Sequence, residues 1–330
     1  MSKNILAAVY ERHGNPADVL HVESRPWPTP AQGEAIVKMR AAPINPADLN
    51  QIEGKYPIRS ELSAIPGFEG AGIVVDLGAN VTSVAAGALV VLPHNVGTWR
   101  EAVAVKADQL VAVPTGIEPV HAAMLKINPM TAWRLLHDYV NLQKGDWLIQ
   151  NAANSAAARA VIQIAHELGY KSVNVVRRAE LIDELHAEGG DVVLVDGENL
   201  RDEVKAETSG APIRLGLNAV GGDSALRLAN CLASGSTMVT YGAMSLQPLK
   251  IPNGLLIFKD LRFRGIWINK WYDNATKQER MEAFQPLFEM AKRGLLKTKV
   301  EKAYPLSEAK AAVTHAAQGK RGGKVIFEFE

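Results

Sequence analysis

Hydrophobic and polar positions are organised in two ways along this chain of 330 residues. Up to about residue 120, short apolar runs such as "EAIVKMRAAPI", "AGIVVDLG" and "ALVVLP" are separated by Pro, Gly and Asp, the pattern of strands and turns. A helical period begins in "HAAMLKINPMTAWRLLHDYV", where Ala132, Leu135, Leu136 and Tyr139 share one face behind Asn128-Pro129. From Asp146 the segments "DWLIQNAA", "SVNVVRR", "DVVLVD", "IRLGLNAVG", "STMVTYGA" and "LRFRGIWI" read as six apolar strands. Helical segments separate the first five, and a longer connection precedes the last. Alternation of this kind predicts a parallel sheet covered on both faces, with right-handed crossovers. In its first helix Val161, Ile164, Ala165 and Leu168 form the apolar stripe. Beyond Trp271 come one or two helices and a final strand, "GKVIFEFE", expected to return to the first domain. The predicted fold is α/β: a doubly wound parallel domain over 123–271, inserted after a β-rich domain of 1–122 plus 272–330.

Composition narrows the possibilities. Hydrophobic residues make up 47%, charged residues 22%, and the net charge is +1, so nothing marks nucleic acid or an anionic membrane surface as a partner. No apolar run reaches the roughly 18–20 residues that span a bilayer. The opening "MSKNILAAVYERHG" reads as a strand and lacks a long apolar core, so no export signal and a cytoplasmic setting are expected. The one cysteine, Cys231, excludes an internal disulfide and a Cys-rich zinc cluster. Its apolar neighbours make it a buried packing residue.

The turn after the first parallel strand reads "QNAANSAAARAVIQIAHELGY", where dinucleotide-binding proteins keep glycines against the pyrophosphate. No glycine lies between Asn154 and His166. Asn154 or Ser155 can still cap the helix, and alanine is the best helix former, so the helix terminus should still present an anion site. The second strand ends "VNVVRRAE", with Arg177 and Arg178 and no acid at its tip. Arginine there matches a 2′-phosphate bidentately, which selects NADPH over NADH; two solvated arginines are the plain alternative.

The motifs "NPADLNQIEGKYP", "PGFEGAGIV", "GTWREAV", "INPMTAWRLL", "QNAANS" with "AVIQIA", and "RGIWINKW" together resemble the mitochondrial-type trans-2-enoyl-thioester reductases. These form a zinc-free branch of the medium-chain dehydrogenase/reductase superfamily. The resemblance covers nearly the whole chain. It implies a GroES-like catalytic domain followed by a Rossmann-like one, and NADPH-dependent reduction of the C2–C3 double bond of enoyl-CoA or enoyl-acyl-carrier-protein in a cleft between domains. It also implies a homodimer through the edge of the Rossmann sheet, for which "LRFRGIWI" is the candidate. Tyr56 matches the family's proton donor; a phenol, with its ordinary value near ~10, is protonated at neutral pH. A loop tyrosine covering the core is the structural alternative. Asn128, Tyr241, Gly242, Ala243, Met244, Ile266, Trp267 and Ile268 match positions around the nicotinamide, and Lys324 matches a lysine near the cofactor, with a solvated lysine equally compatible. Asn45 and Asp48 fit either the cofactor ribose or an Asx turn at a proline, whereas Trp99 and Arg100 read as structural.

Family members read N-S-G-x-G where this chain has Asn154, Ser155, Ala156, Ala157 and Ala158. The added methyl groups at Ala156 and Ala158 should weaken cofactor binding by about 1–3 kcal/mol if nothing shifts, roughly 5- to 150-fold. Zinc-dependent relatives carry a histidine beside the glutamate of the "GFEG" segment; here Phe68 precedes Glu69, and one cysteine cannot build a Cys₂His site. No metal is expected, and Glu69 reads as structural. Two rivals stay open: a quinone or enone reductase of the same architecture, and a non-catalytic binding protein whose cofactor site the alanine turn has weakened.

Overall fold

The structure is a computed structural model and describes residues 4–319 and 321–330. The chain forms two compact units, Met1–Ile127 with Tyr272–Glu330, and Asn128–Trp271. The first unit runs past residue 122 because helix Pro119–Ala123 packs on the strands Glu34–Pro43 and Ala71–Leu77.

The first unit is β-rich. Asn4–Tyr10 pairs antiparallel with Leu20–Pro26. A seven-stranded sheet is organised around Glu34–Pro43, which pairs with Ala71–Leu77 and also with Ala102–Lys106. The closing strand Lys324–Glu328 joins it antiparallel, Ile326 opposite Pro43, so the carboxyl terminus completes the amino-terminal unit. A further strand, Val300–Tyr304, runs parallel to that closing strand. Its run of exposed Glu301, Lys302 and Ala303 hides it from any reading of hydrophobic period. Tyr10, Val37, Trp99 and Phe327 are buried in the core of this unit, with the Trp99 and Phe327 rings meeting edge-on at 5.1 Å.

The second unit carries six parallel strands: β1 (Trp147–Gln150), β2 (Lys171–Val176), β3 (Val192–Val195), β4 (Ile213–Asn218), β5 (Thr237–Thr240) and β6 (Arg262–Gly265). Their order across the sheet is β3-β2-β1-β4-β5-β6. The winding therefore reverses between β1 and β4, the doubly wound arrangement of a Rossmann-like fold, which opens a crevice outside the carboxyl ends of those strands. The principal helices are α1 (Ala156–Leu168), α2 (Ile182–Ala187), α3 (Leu200–Glu207) and α4 (Gly222–Cys231). Val161, Ile162, Ile164 and Ala165 bury the inner face of α1, and Gly169 ends it at φ +76°, a backbone state glycine adopts without strain. Cys231 ends α4 half-buried, rather than fully buried as the sequence suggests, and its thiol bonds Arg227 O at 3.2 Å in the last turn. Burial pushes that thiol up to about 11, which disfavours nucleophilic chemistry.

Candidate active site

The crevice of the second unit is built from amides. Asn151, one residue past β1, donates from Nδ2 to Asn218 Oδ1 at 2.9 Å and to Ser224 Oγ at 3.1 Å. Its Oδ1 accepts from Ala219 N at 2.7 Å. Asn218, closing β4, accepts from Val220 N and Gly221 N at 3.1 and 3.0 Å, and donates to Thr240 Oγ1 of β5 at 3.1 Å. Three strand ends are thereby locked in place by uncharged groups. Gln150 does the same on the other side, reaching Asn174 Oδ1 of β2 at 2.7 Å and Ala158 O of α1 at 3.0 Å. Sequence reasoning missed these residues. The available signal was an amide at the end of each apolar strand, "WLIQN" and "IRLGLN".

The glycine-free turn forms around this frame. Ala152 adopts φ +48°, a conformation a Cβ disfavours. Ser155 is the N-cap of α1, its hydroxyl accepting from Ala158 N at 3.3 Å. Ala158 is fully buried, so its methyl group packs inside the protein, while Ala156 is half-exposed at the helix tip. Asn154 is half-buried and its carbonyl accepts from Arg159 Nε at 3.2 Å. Arg159 in turn pairs with Glu184 at 3.2 Å and with Glu188, tying the start of α1 to α2.

At the end of β2, Arg178 pairs with Glu180 at 3.4 Å, whereas Arg177 is exposed with no ion pair among the described residues. Tyr241 follows β5; burial first pushes its phenol up to about 12, an effect Ser155 partly offsets. Gly242 lies so close to β4 that a Cβ would meet Ala219 O at 2.9 Å. Ala243 follows it, Met244 is 64% exposed, Ile266 donates its amide to Thr240 O at 3.1 Å, Trp267 is exposed and Ile268 buried. Asn128 opens helix Asn128–His137.

In the first unit the polar groups are charged. Asp48 accepts from Asn45 N at 2.7 Å and from Phe68 N at 2.9 Å. Glu69 accepts from Asn45 Nδ2 at 2.8 Å and from Ile127 N at 2.9 Å. Lys126 donates to Phe68 O at 2.7 Å, and Lys324 to Asn45 Oδ1. All five side chains are buried. Gly67, before Phe68, sits at φ +110°, and a Cβ there would lie 2.3 Å from Thr98 Oγ1. Burial raises the Asp48 carboxyl to about 7 and holds that of Glu69 high, with Lys324 opposing in both cases. It lowers the Lys126 ammonium to about 7 and brings Lys324 down, with Glu69 opposing most strongly.

This arrangement places two of the expected residues. Asn45 donates to Glu69 from Nδ2 and accepts from Lys324 at Oδ1, inside the unit. Lys324 is not solvated; it is a buried counter-ion to Glu69 and Asp48. Glu69 is fully buried and spends its carboxylate on Asn45 and the Ile127 amide. Trp99 is fully buried, and Arg100 bonds Gly97 O at 2.9 Å and Val96 O, both in packing roles. Tyr56 lies on the loop after helix Pro46–Ile52, half-buried, with its ring 5.2 Å from that of Phe68. The charged network thus fixes the backbone on either side of the residue that supports Tyr56.

Residues 31–115 match the alcohol dehydrogenase GroES-like domain, and residues 188–327 match the zinc-binding dehydrogenase domain. The chain is therefore an oxidoreductase of the medium-chain dehydrogenase/reductase class. The human mitochondrial enoyl-[acyl-carrier-protein] reductase is 40% identical over 316 residues, 94% of this chain and 84% of that protein. The chain belongs to the enoyl-thioester reductase family. Among solved structures, the Etr1p/NADP/crotonyl-CoA complex superposes with a TM-score of 0.90 at 30% identity, covering 99% of this chain and 100% of the other. A Bacillus thuringiensis protein assigned as an NADPH:quinone reductase reaches 0.92 at 30% identity over the full length of both. The zinc of the domain name does not fit this chain: the glutamate is preceded by Phe68, and among the described residues no three His, Cys, Asp or Glu side chains gather into a metal-holding group.

Proposed function

We propose that this protein reduces the C2–C3 double bond of 2-enoyl thioesters with NADPH, and that Tyr56 is the proton donor. The observation that carries the residue assignment is the Tyr56 ring set against Phe68, whose own amide and carbonyl are held by Asp48 and Lys126. NADPH supplies, when bound, the hydride for the β-carbon. Negative charge then builds on the thioester oxygen and α-carbon, and a positioned phenol donates to it. The tip of α1, half-exposed at Ala156, suits the pyrophosphate. Arg177, which lacks a carboxylate partner among the described residues, suits the 2′-phosphate better than Arg178 does.

The test is crotonyl-CoA reduction by the Tyr56→Phe protein. Turnover should fall roughly 10²- to 10⁴-fold, with NADPH affinity measured by fluorescence titration unchanged. An unaffected rate would remove Tyr56 from the role. Likeness to the quinone reductase supports a second reading, which activity with a quinone and none with crotonyl-CoA would establish. Crotonyl-acyl-carrier-protein assayed beside crotonyl-CoA tells which carrier is preferred.

The same proposal includes a homodimer through the β6 edge. Among the described residues, seven of the ten exposed large hydrophobics lie from Met244 to Trp267, among them Leu246 at 87% and Phe258 at 84% exposed. A Phe258→Asp substitution should shift the light-scattering mass from dimer to monomer. A wild-type monomer at micromolar concentration would refute this part. Among the described residues no helix is long and apolar enough to cross a membrane. The proposed setting is the cytoplasm, supported by a single, unreactive thiol; a relative carries a mitochondrial name, and cell fractionation decides.

A further inference from the structure

A cavity of about 190 Å³ lies within the first unit, and of its lining residues only Lys126 has a role assigned above. Its wall includes His94, Lys126, Asp273 and Arg280, with Val111 and Phe284 among its apolar side chains. At roughly 30 Å³ per molecule, this is the space of about six waters. Four ionisable groups around so small a volume are unusual, and their pairing is incomplete.

Three of them are occupied. His94 Nε2 meets Asp273 Oδ1 at 2.7 Å, and its ring stacks on Tyr272 at 5.8 Å. Burial first, then the Lys126 charge, holds the His94 imidazole below its ordinary value, so it contributes little positive charge near neutrality. Lys126 donates to Phe68 O and faces Glu69 behind the wall. Arg280 differs. Its one side-chain hydrogen bond among the described residues runs from Nη1 to Ala275 O at 2.7 Å, and no ion pair forms with it. The wall's one carboxylate, Asp273, is taken by His94, which leaves this half-buried guanidinium without an ion-pair partner among the described residues.

We propose that this cavity is a binding site for a small carboxylate with a short apolar stem, held chiefly by Arg280 and secondarily by Lys126. The planar fork of Arg280 matches a carboxylate in two parallel hydrogen bonds. Val111 and Phe284 suit methylene groups. The volume limits the ligand to a few carbons. Two sources share this chemistry: a free short-chain acid, or the far end of an acyl chain that itself carries a carboxylate. The second source rests on the enoyl reductase reading; the site itself does not.

Calorimetric titration of the full-length protein with glutarate tests the site directly, with the neutral isostere glutaramide and inorganic phosphate as comparators. Glutarate should bind and glutaramide should not. Arg280→Gln should weaken glutarate at least about tenfold, and Arg280→Lys by less, since it keeps the charge and loses the fork. Thermal melts of both variants show whether the fold is kept. Absence of heat at about 10 mM glutarate, equal binding of glutaramide, tighter binding of phosphate, or indifference to Arg280→Gln in a folded variant would each overturn the proposal. The source is settled by comparing kcat/KM for 2-hexenedioyl-CoA and 2-hexenoyl-CoA. A preference for the first that disappears in Arg280→Gln assigns the carboxylate to substrate, while glutarate binding without that preference assigns it to a free acid. If no enoyl-CoA is reduced at all, the catalytic reading fails, and the titration still decides the site.

Discussion

The first unit stabilises its functional loop with buried ions, and the second holds its strand ends with buried amides. Around Phe68 stand Asp48, Glu69, Lys126 and Lys324, two acids and two bases. Around Asn218 stand Gln150, Asn151, Asn174 and Ser224, none of which changes charge near neutrality. Each network fixes backbone beside candidate site residues of its own unit. They differ in what removal of one member leaves behind. A buried ion without its partner retains its full desolvation penalty, whereas a buried amide loses only hydrogen bonds. Only the first network responds to pH.

The largest test of this contrast replaces one member in each unit. Lys324→Met leaves Glu69 and Asp48 buried without their nearest cation and should cost about 3–5 kcal/mol. Asn218→Ala should cost about 1–3 kcal/mol. Urea denaturation followed by tryptophan fluorescence measures both, and the contrast fails if Asn218→Ala proves the costlier. A smaller effect is expected at the alanine turn. Ala156 is half-exposed at the tip of α1, so Ala156→Gly should tighten NADPH by up to about tenfold, near 1.4 kcal/mol. The same change at Ala158, whose methyl packs inside, should lower stability by about 0.5–1 kcal/mol without improving affinity. Titration of both variants separates contact from packing.

The pH dependence is the subtlest. The Asp48 carboxyl is raised from 3.8 to about 7 in the fold, so the folded state binds more protons than the unfolded chain between those values. Its contribution to stability therefore falls as pH rises from about 4 to 7. Lys126 is lowered from 10.5 to about 7, so the unfolded chain binds more protons above pH 7, and stability recovers toward pH 10. Melting temperature measured against pH should dip near neutrality, and Asp48→Asn should flatten the acid side of the dip. An unchanged profile in that variant would mean that other groups cause it.

Much of this was legible in the chain. The six apolar strands and their helices follow from local periodicity, which packing on both faces of a parallel sheet reinforces, while the reversal of winding follows from the family resemblance. The chemistry of the first unit was less accessible. Lys324 finds Asn45 only because the last strand crosses back to the sheet of the first, a pairing between residues 279 positions apart. No local pattern distinguishes such a lysine from a solvated one. Strand Val300–Tyr304 was missed for a related reason: its side chains are polar, and it is held by main-chain bonds to its neighbour. Arg280 was invisible because helix Lys277–Lys292 reads as an ordinary amphipathic segment, and only the fold brings it to the wall shared by Lys126.

The strand Arg262–Gly265 is the last of its six-stranded sheet, with no further strand paired to it among the described residues, and Met244 to Phe258 carry exposed apolar residues. Such an edge is a template for any extended polypeptide, and natural sheets protect theirs with charge. Arg262 and Arg264 are both exposed on this strand, alternating with Phe263 and Gly265. The two arginines keep charge on an edge whose flank is apolar, so any strand that extends the sheet must strip water from them. Neutralising both would leave the strip open to indiscriminate pairing and aggregation.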